Sequence, residues 1–194
     1  MKFNVKQLLL VLVVISMFSF VACTSVPDDI ESASVSDIST QATDLSAVTW
    51  KPINMDSSSF EFEGYAPGKS HVGTFGSWSG DLGFEGDKLV AARGTIDPST
   101  VDAGIDGLNN HLKSDDFFDV EVYPQITIQS TKIDYDSSTM FADLTFHGVT
   151  KTISFPIGLV EGGIKADFLL DTTPFNIKYV AINKDVRIAF ELVV

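Results

Sequence analysis

Cysteine, histidine and basic residues are all scarce in this chain. Its 194 residues include one cysteine, three histidines and 13 Lys plus Arg against 26 Asp plus Glu. A single cysteine excludes an internal disulfide framework and metal sites built from several cysteines. The formal net charge of -13 makes the surface repel a phosphate backbone, so nucleic acid is not expected as a partner. The length suits one well-packed domain.

The amino terminus has the pattern of a secretory signal. Lys2 and Lys6 precede an apolar run over residues 8–20, which is shorter than the roughly 20 residues a transmembrane helix needs. The stretch Phe20-Val21-Ala22-Cys23 resembles a bacterial lipobox, in which cleavage before the cysteine leaves a thiol that is acylated. The sequence therefore predicts a signal peptide over 1–22 and a lipidated Cys23. This lipid would anchor the chain to a membrane of the bacterial cell envelope, as a periplasmic or outer-membrane lipoprotein.

Residues 23–48 contain little that could build a core. They are mainly Ser, Thr, Asp and Ala, with five acidic residues and no basic one. Such a composition is typical of disorder. We predict a flexible acidic linker over 23–48 and a single folded domain over 49–194.

From Trp50 onward the apolar residues alternate with polar ones, the period of strands with one buried face. One exception has helical spacing, Ile105, Leu108 and Leu112, and predicts a short helix near residues 104–118. The pattern favours an all-β, eight-stranded antiparallel β-barrel, with an open sandwich as the competing shape. The predicted strands cover residues 60–65, 72–78, 88–96, 125–133, 140–146, 153–159, 164–170 and 186–194.

No catalytic or metal-binding residue is assigned. His71, His111 and His147 lie on separate predicted elements, so a metal site would need them to converge in the fold. A hydrolase using His111 with Asp115 or Asp116 is the enzymatic alternative. Adjacent acidic residues in a loop are usually solvated, whereas catalysis needs a shielded carboxylate. We therefore expect the protein not to be an enzyme.

Three motifs carry a family resemblance. Residues 111–124 read HLKSDDFFDVEVYP, residues 143–151 read DLTFHGVTK and residues 70–75 read SHVGTF. In their order and spacing they resemble the YceI-like family of secreted, lipocalin-like proteins that bind polyisoprenoid lipids. Relatives often carry Arg-Asp where this chain has Asn109-Asn110, which favours a ligand with a neutral head group.

The resemblance implies a barrel enclosing an elongated apolar cavity that holds an isoprenoid lipid or quinone, with no other cofactor. The alternative function is that of an interaction or structural lipoprotein of the cell envelope, with a solidly packed barrel and no lipid ligand. Whether the chain forms a homodimer is left open. For each candidate lining residue, a purely structural role in the core is the alternative. The predicted lipid-binding residues, taken from the inward parity of the strands, are Phe75, Trp78, Ile126, Ile128, Leu144, Phe146, Phe155, Phe168 and Phe190.

Overall fold

The structure is a computed structural model that describes residues 25–38, 45–177 and 182–194. The predicted signal peptide 1–22 and the predicted lipidation site Cys23 lie outside the described residues. One α-helix is present in the described part, α1 (Asp106–Lys113). The strands are β1 (Ser34–Ser36), β2 (Thr49–Pro52), β3 (Ser59–Ala66), β4 (Lys69–Phe75), β5 (Trp78–Glu85), β6 (Lys88–Ile96), β7 (Val101–Asp102), β8 (Ile126–Asp134), β9 (Thr139–Phe146), β10 (Val149–Pro156), β11 (Gly158–Val160), β12 (Gly163–Asp171) and β13 (Asp185–Val193).

The strands form two antiparallel sheets. A seven-stranded sheet has the order β1-β10-β9-β8-β6-β5-β2, and a six-stranded sheet has the order β11-β12-β13-β3-β4-β7. The predicted closed eight-stranded lipocalin-like barrel is therefore wrong in its closure, since no closed barrel is found among the described residues. The all-β antiparallel class is confirmed, and the competing interpretation of two sheets describes the molecule better.

Two discontinuities explain why the sheets stay separate. Between β4 and β5 the chain turns at Gly76 and leaves one sheet for the other; glycine suits a sharp bend because it has no side chain to clash. On the opposite side, β10 and β12 are not hydrogen-bonded to each other in the sheet order. That second gap, the seam between β10 and β12, is crossed by the segment that contains β1.

Alternation of apolar residues located most of the long strands, and β5 is the exception. Gly80 and Gly83 interrupt its hydropathy pattern, because glycine marks neither a buried nor an exposed face. No larger residue fits at Gly80, where a Cβ would lie 2.4 Å from the carbonyl oxygen of Arg93. The predicted helix is confirmed in shortened form as α1.

The predicted linker over 23–48 differs from the structure in one stretch. Residues 34–36 form β1, which pairs with β10. Composition reports whether side chains can build a core, whereas pairing with an edge strand needs only main-chain N–H and C=O groups. Residues 39–44 of the linker lie outside the described part, and the boundaries of the predicted domains remain a prediction.

The main core lies between the two sheets. Its buried side chains come from both of them, with Leu82, Ile153 and Phe155 from the first and Ile164 and Phe168 from the second. A second cluster, of Phe62, Phe75 and Val101, lies where β3, β4 and β7 meet. Of the helices the structure describes, none is long and apolar enough to cross a membrane.

Candidate functional site: an apolar cavity between the sheets

The space between the sheets is not completely filled by side chains. A cavity of about 240 Å³ is lined almost entirely by apolar groups from both sheets and from the segment around α1. All nine residues predicted to bind lipid line it. The convergence of these nine side chains on one cavity is a finding, whereas their binding of lipid stays a prediction.

The lining residues differ in how tightly they are packed. Phe155 and Phe168 are 2% and 3% exposed, so they close one side of the cavity as solid core. Ile126, Ile128 and Phe190 are only partly buried, although they lie on the inward face of their strands. These three side chains therefore border more open space than the two phenylalanines do. Sequence parity predicts the inward face but not this difference, because hydropathy does not depend on whether the opposite side is filled.

Aromatic rings form much of the wall. Phe155 stacks on Phe168 with ring centroids 4.4 Å apart and planes 15° from parallel. Phe60 stacks on Phe190 at 6.3 Å and lies 6.2 Å from Trp78. Offset and tilted ring pairs of this kind add about 0.5–1.5 kcal/mol each beyond their area burial. The wall is therefore stiff on the packed side and offers polarizable faces to an unsaturated chain.

The segment 106–118 contributes to the cavity wall. Leu112 of α1 and the following Phe117 and Phe118 line it, and the Phe118 ring lies 5.7 Å from Phe75 and 5.9 Å from Phe146. The chain is held there by the Phe118 N–H, which donates to the carbonyl of Leu112 at 3.0 Å. α1 and the two phenylalanines that follow it therefore form part of the cavity wall.

None of the described residues that line the cavity offers an unpaired charge to a ligand. Arg93 is the one ionisable residue among the described residues that line it. Its Nε donates to Asp81 Oδ2 at 2.8 Å, and its guanidinium lies 4.3 Å from the ring of Trp50. Thr95 and Thr127 also line the cavity, but they are paired with each other and alternate with the inward Ile126 and Ile128, so their hydroxyls point to the opposite face of the sheet. This arrangement suits an apolar ligand with a neutral head group.

The residues of the enzymatic alternative are not shielded from solvent. His111 Nε2 and Asp116 Oδ2 are 2.8 Å apart, but their side chains are 35% and 54% exposed. Asp115 is exposed as well. In the described part of the chain, no three His, Cys, Asp or Glu residues are grouped as a metal would need, and His147 instead packs against the Tyr123 ring at 4.7 Å.

Several residues that line the cavity were not among those predicted from the sequence. Phe60 and Phe62 on β3 and Ile188 on β13 line the cavity and alternate with charged residues such as Glu61 and Arg187. The same parity rule that picked Phe190 would have found them.

The sequence of the folded part matches a known family. A YceI-like domain matches residues 50–194. The chain belongs to the YceI-like family. Protein YceI of Escherichia coli O6:H1 is 32% identical over 120 residues, which cover 55% of this chain and 63% of that protein. A UPF0312 protein of Vibrio parahaemolyticus is 31% identical over 96 residues, or 47% of this chain and 51% of the relative. This YceI-like chain therefore aligns with less than two thirds of the length of these curated relatives.

Solved structures share the architecture. BcnA of Burkholderia cenocepacia superposes with a TM-score of 0.63 at 22% identity, covering 73% of this chain and 99% of BcnA. A polyisoprenoid binding domain from Saccharophagus degradans, implicated in plant cell wall breakdown, gives a TM-score of 0.57 at 18% identity over 75% of this chain and 97% of that domain. At these identities the likeness shows that this YceI-like chain shares their fold.

Proposed function

We propose that this YceI-like chain binds one isoprenoid-type lipid, a polyisoprenoid or an isoprenoid quinone, with the tail inside the cavity and the head group at its mouth. The observation that carries the proposal is the apolar cavity itself, with the nine predicted inward residues on its wall. The paired state of Arg93 and the family membership support it. The polyisoprenoid binding domain of Saccharophagus degradans, which has the same fold, is consistent with it.

Size sets what the cavity can hold. A void of about 240 Å³ is several times the roughly 30 Å³ that a water takes in the liquid, so it accommodates a chain segment of several methylenes. Burying each methylene gains about 0.8 kcal/mol before association costs. A longer tail must displace side chains or extend out of the mouth. Hydrophobic burial therefore supplies the affinity, and the wall selects for a slender chain.

The cellular role follows from the predicted anchor. With Cys23 lipidated and residues 24–30 as spacer, the domain would remain near a membrane of the bacterial envelope while holding a lipid out of it. We propose a tethered carrier or storage protein, with the isoprenoid lipid and the membrane as its partners. The cavity weighs against the solidly packed interaction or structural lipoprotein, which becomes the other outcome of the test.

The test is extraction of the purified full chain with organic solvent and mass spectrometry of the extract. We expect close to one isoprenoid lipid per chain. Ile128→Trp places a larger ring in the cavity and should abolish retention. Val72→Trp adds a similar bulk to a residue that is 52% exposed and should retain the lipid. No lipid from the wild type, or equal recovery from both variants, would contradict the proposal.

A further inference from the structure

The seam between β10 and β12 is closed by residues that precede the family domain. The Ala33 N–H donates to the Leu169 carbonyl of β12 at 2.7 Å, and the Leu169 N–H donates to the Glu31 carbonyl at 2.9 Å. From the next residue, Ser34, the same segment pairs with β10, with Val35 opposite Ile153. Residues 31–36 therefore bind first one sheet and then the other, although the YceI-like domain begins only at residue 50.

The seam lies directly over the cavity wall. Phe155 of β10 and Phe168 of β12 stack at 4.4 Å, and both line the cavity. Ala33 and Val35 pack against the core around these rings, whereas Ser34 and Ser36 are exposed. At one end of the seam β10 continues into β11, which pairs with β12. Over the rest, only residues 31–36 join the two strands by main-chain bonds in the described part of the chain.

The attachment of this segment is slight. β1 forms three residue pairs with β10, whereas β9 forms eight with the same strand. Beyond β1, Lys151 Nζ lies 2.8 Å from Asp37 Oδ1, but the Asp37 side chain is 95% exposed, where an ion pair contributes little. Segments with few buried apolar contacts open at a lower free energy than the domain unfolds.

We propose that residues 31–37 form a detachable strap over the seam between β10 and β12, and that its release lets the stacked Phe155 and Phe168 separate and opens a lateral route for lipid into and out of the cavity. The proposal rests on the proposed function, because it gives the lipid its path. It also assigns a use to the segment that leads to the predicted anchor. Pulling on that segment from the membrane side would draw the strap away from the seam while both sheets stay folded.

A disulfide lock tests the strap. Ser34 and Ser154 are paired across β1 and β10, and antiparallel partners have Cα separations that a disulfide can span. The full chain would carry Cys23→Ser with Ser34→Cys and Ser154→Cys, so that the two new thiols are the only ones. The quenching of Trp78 fluorescence measures the uptake of a quinone with two isoprene units from phosphatidylcholine vesicles. We expect oxidation to slow uptake at least tenfold without changing the final extent of quenching, and a reductant to restore the rate.

A matched control locks two strands within one sheet. Thr145 and Thr150 are partners on β9 and β10, with hydroxyl oxygens 2.9 Å apart, and their cysteine pair should leave uptake unchanged when oxidised. Val35→Ser, which removes an apolar contact of the strap, should speed release severalfold. If oxidation joins the two cysteines and the rate of quinone uptake does not change, the proposal is overturned while lipid binding stands. Failure of the two cysteines to form a disulfide overturns it as well. Absence of saturable quenching in every variant instead refutes the proposed function.

Discussion

Two isoleucines with different surroundings give a direct measure of the unfilled interior. Ile128 on β8 and Ile153 on β10 both face inward and both line the cavity. Ile153 is 2% exposed, whereas Ile128 keeps part of its surface. Truncation of a buried isoleucine to alanine costs about 2–5 kcal/mol, because transfer and packing terms are both lost. Ile128, the more accessible of the two side chains, has fewer packing contacts to lose on truncation.

We expect Ile153→Ala to lower the free energy of unfolding of the lipid-free protein by about 3–4 kcal/mol and Ile128→Ala by about 1–2 kcal/mol. With a urea m-value of about 2 kcal/mol/M, the difference of about 2 kcal/mol separates the two midpoints by about 1 M. Urea unfolding followed by circular dichroism measures this, and an unchanged m-value shows that both variants unfold from a similarly compact state. Equal costs, within about 0.5 kcal/mol, would refute the claim that Ile128 borders more unfilled space than Ile153 does.

Two further predictions concern local geometry and pH. Gly148→Ala should lower the free energy of unfolding by about 2–3 kcal/mol, because φ is +72° and a Cβ would lie 2.4 Å from the Tyr123 ring. Gly68→Ala, with φ at +75° but open space around the position, should cost only about 1 kcal/mol in the same urea assay. Burial, with the hydrogen bond to Glu63, raises the pKa of Tyr65 to about 12. Since the unfolded phenol ionises near pH 10, this stabilisation is complete below about pH 10 and is lost between there and about pH 12. Tyr65→Phe should weaken that alkaline loss, and a steep loss that persists unchanged would contradict the assignment.

The sequence predicted the inward faces well and the closure of the sheets poorly. Alternation along β8, β9 and β13 places Ile128, Leu144 and Phe190 inward because a pleated strand has only two faces. Whether the strands close depends on a bend at Gly76 and on main-chain pairing between residues far apart in the chain, and hydropathy carries no record of either. β1 was missed for a related reason, since an edge strand can be held by backbone groups whatever its side chains.

The unfilled space between the sheets could not be predicted from the sequence pattern either. Phe155 and Ile128 share the inward parity, yet Phe155 is buried and Ile128 keeps part of its accessible surface. The difference arises from how side chains of two sheets interdigitate, a property of volumes in three dimensions. The family motifs supplied the expectation of a cavity, and the structure supplied its position and size.

The most direct test of the central claim uses the two tryptophans of the chain. Trp78 lines the cavity, whereas Trp50 lies outside it beneath Arg93. In Trp50→Phe, titration with an isoprenoid quinone should quench Trp78 saturably at one quinone per chain; in Trp78→Phe, quenching of Trp50 should be weak and unsaturable. Equal, unsaturable quenching in both variants would contradict a lipid bound between the sheets.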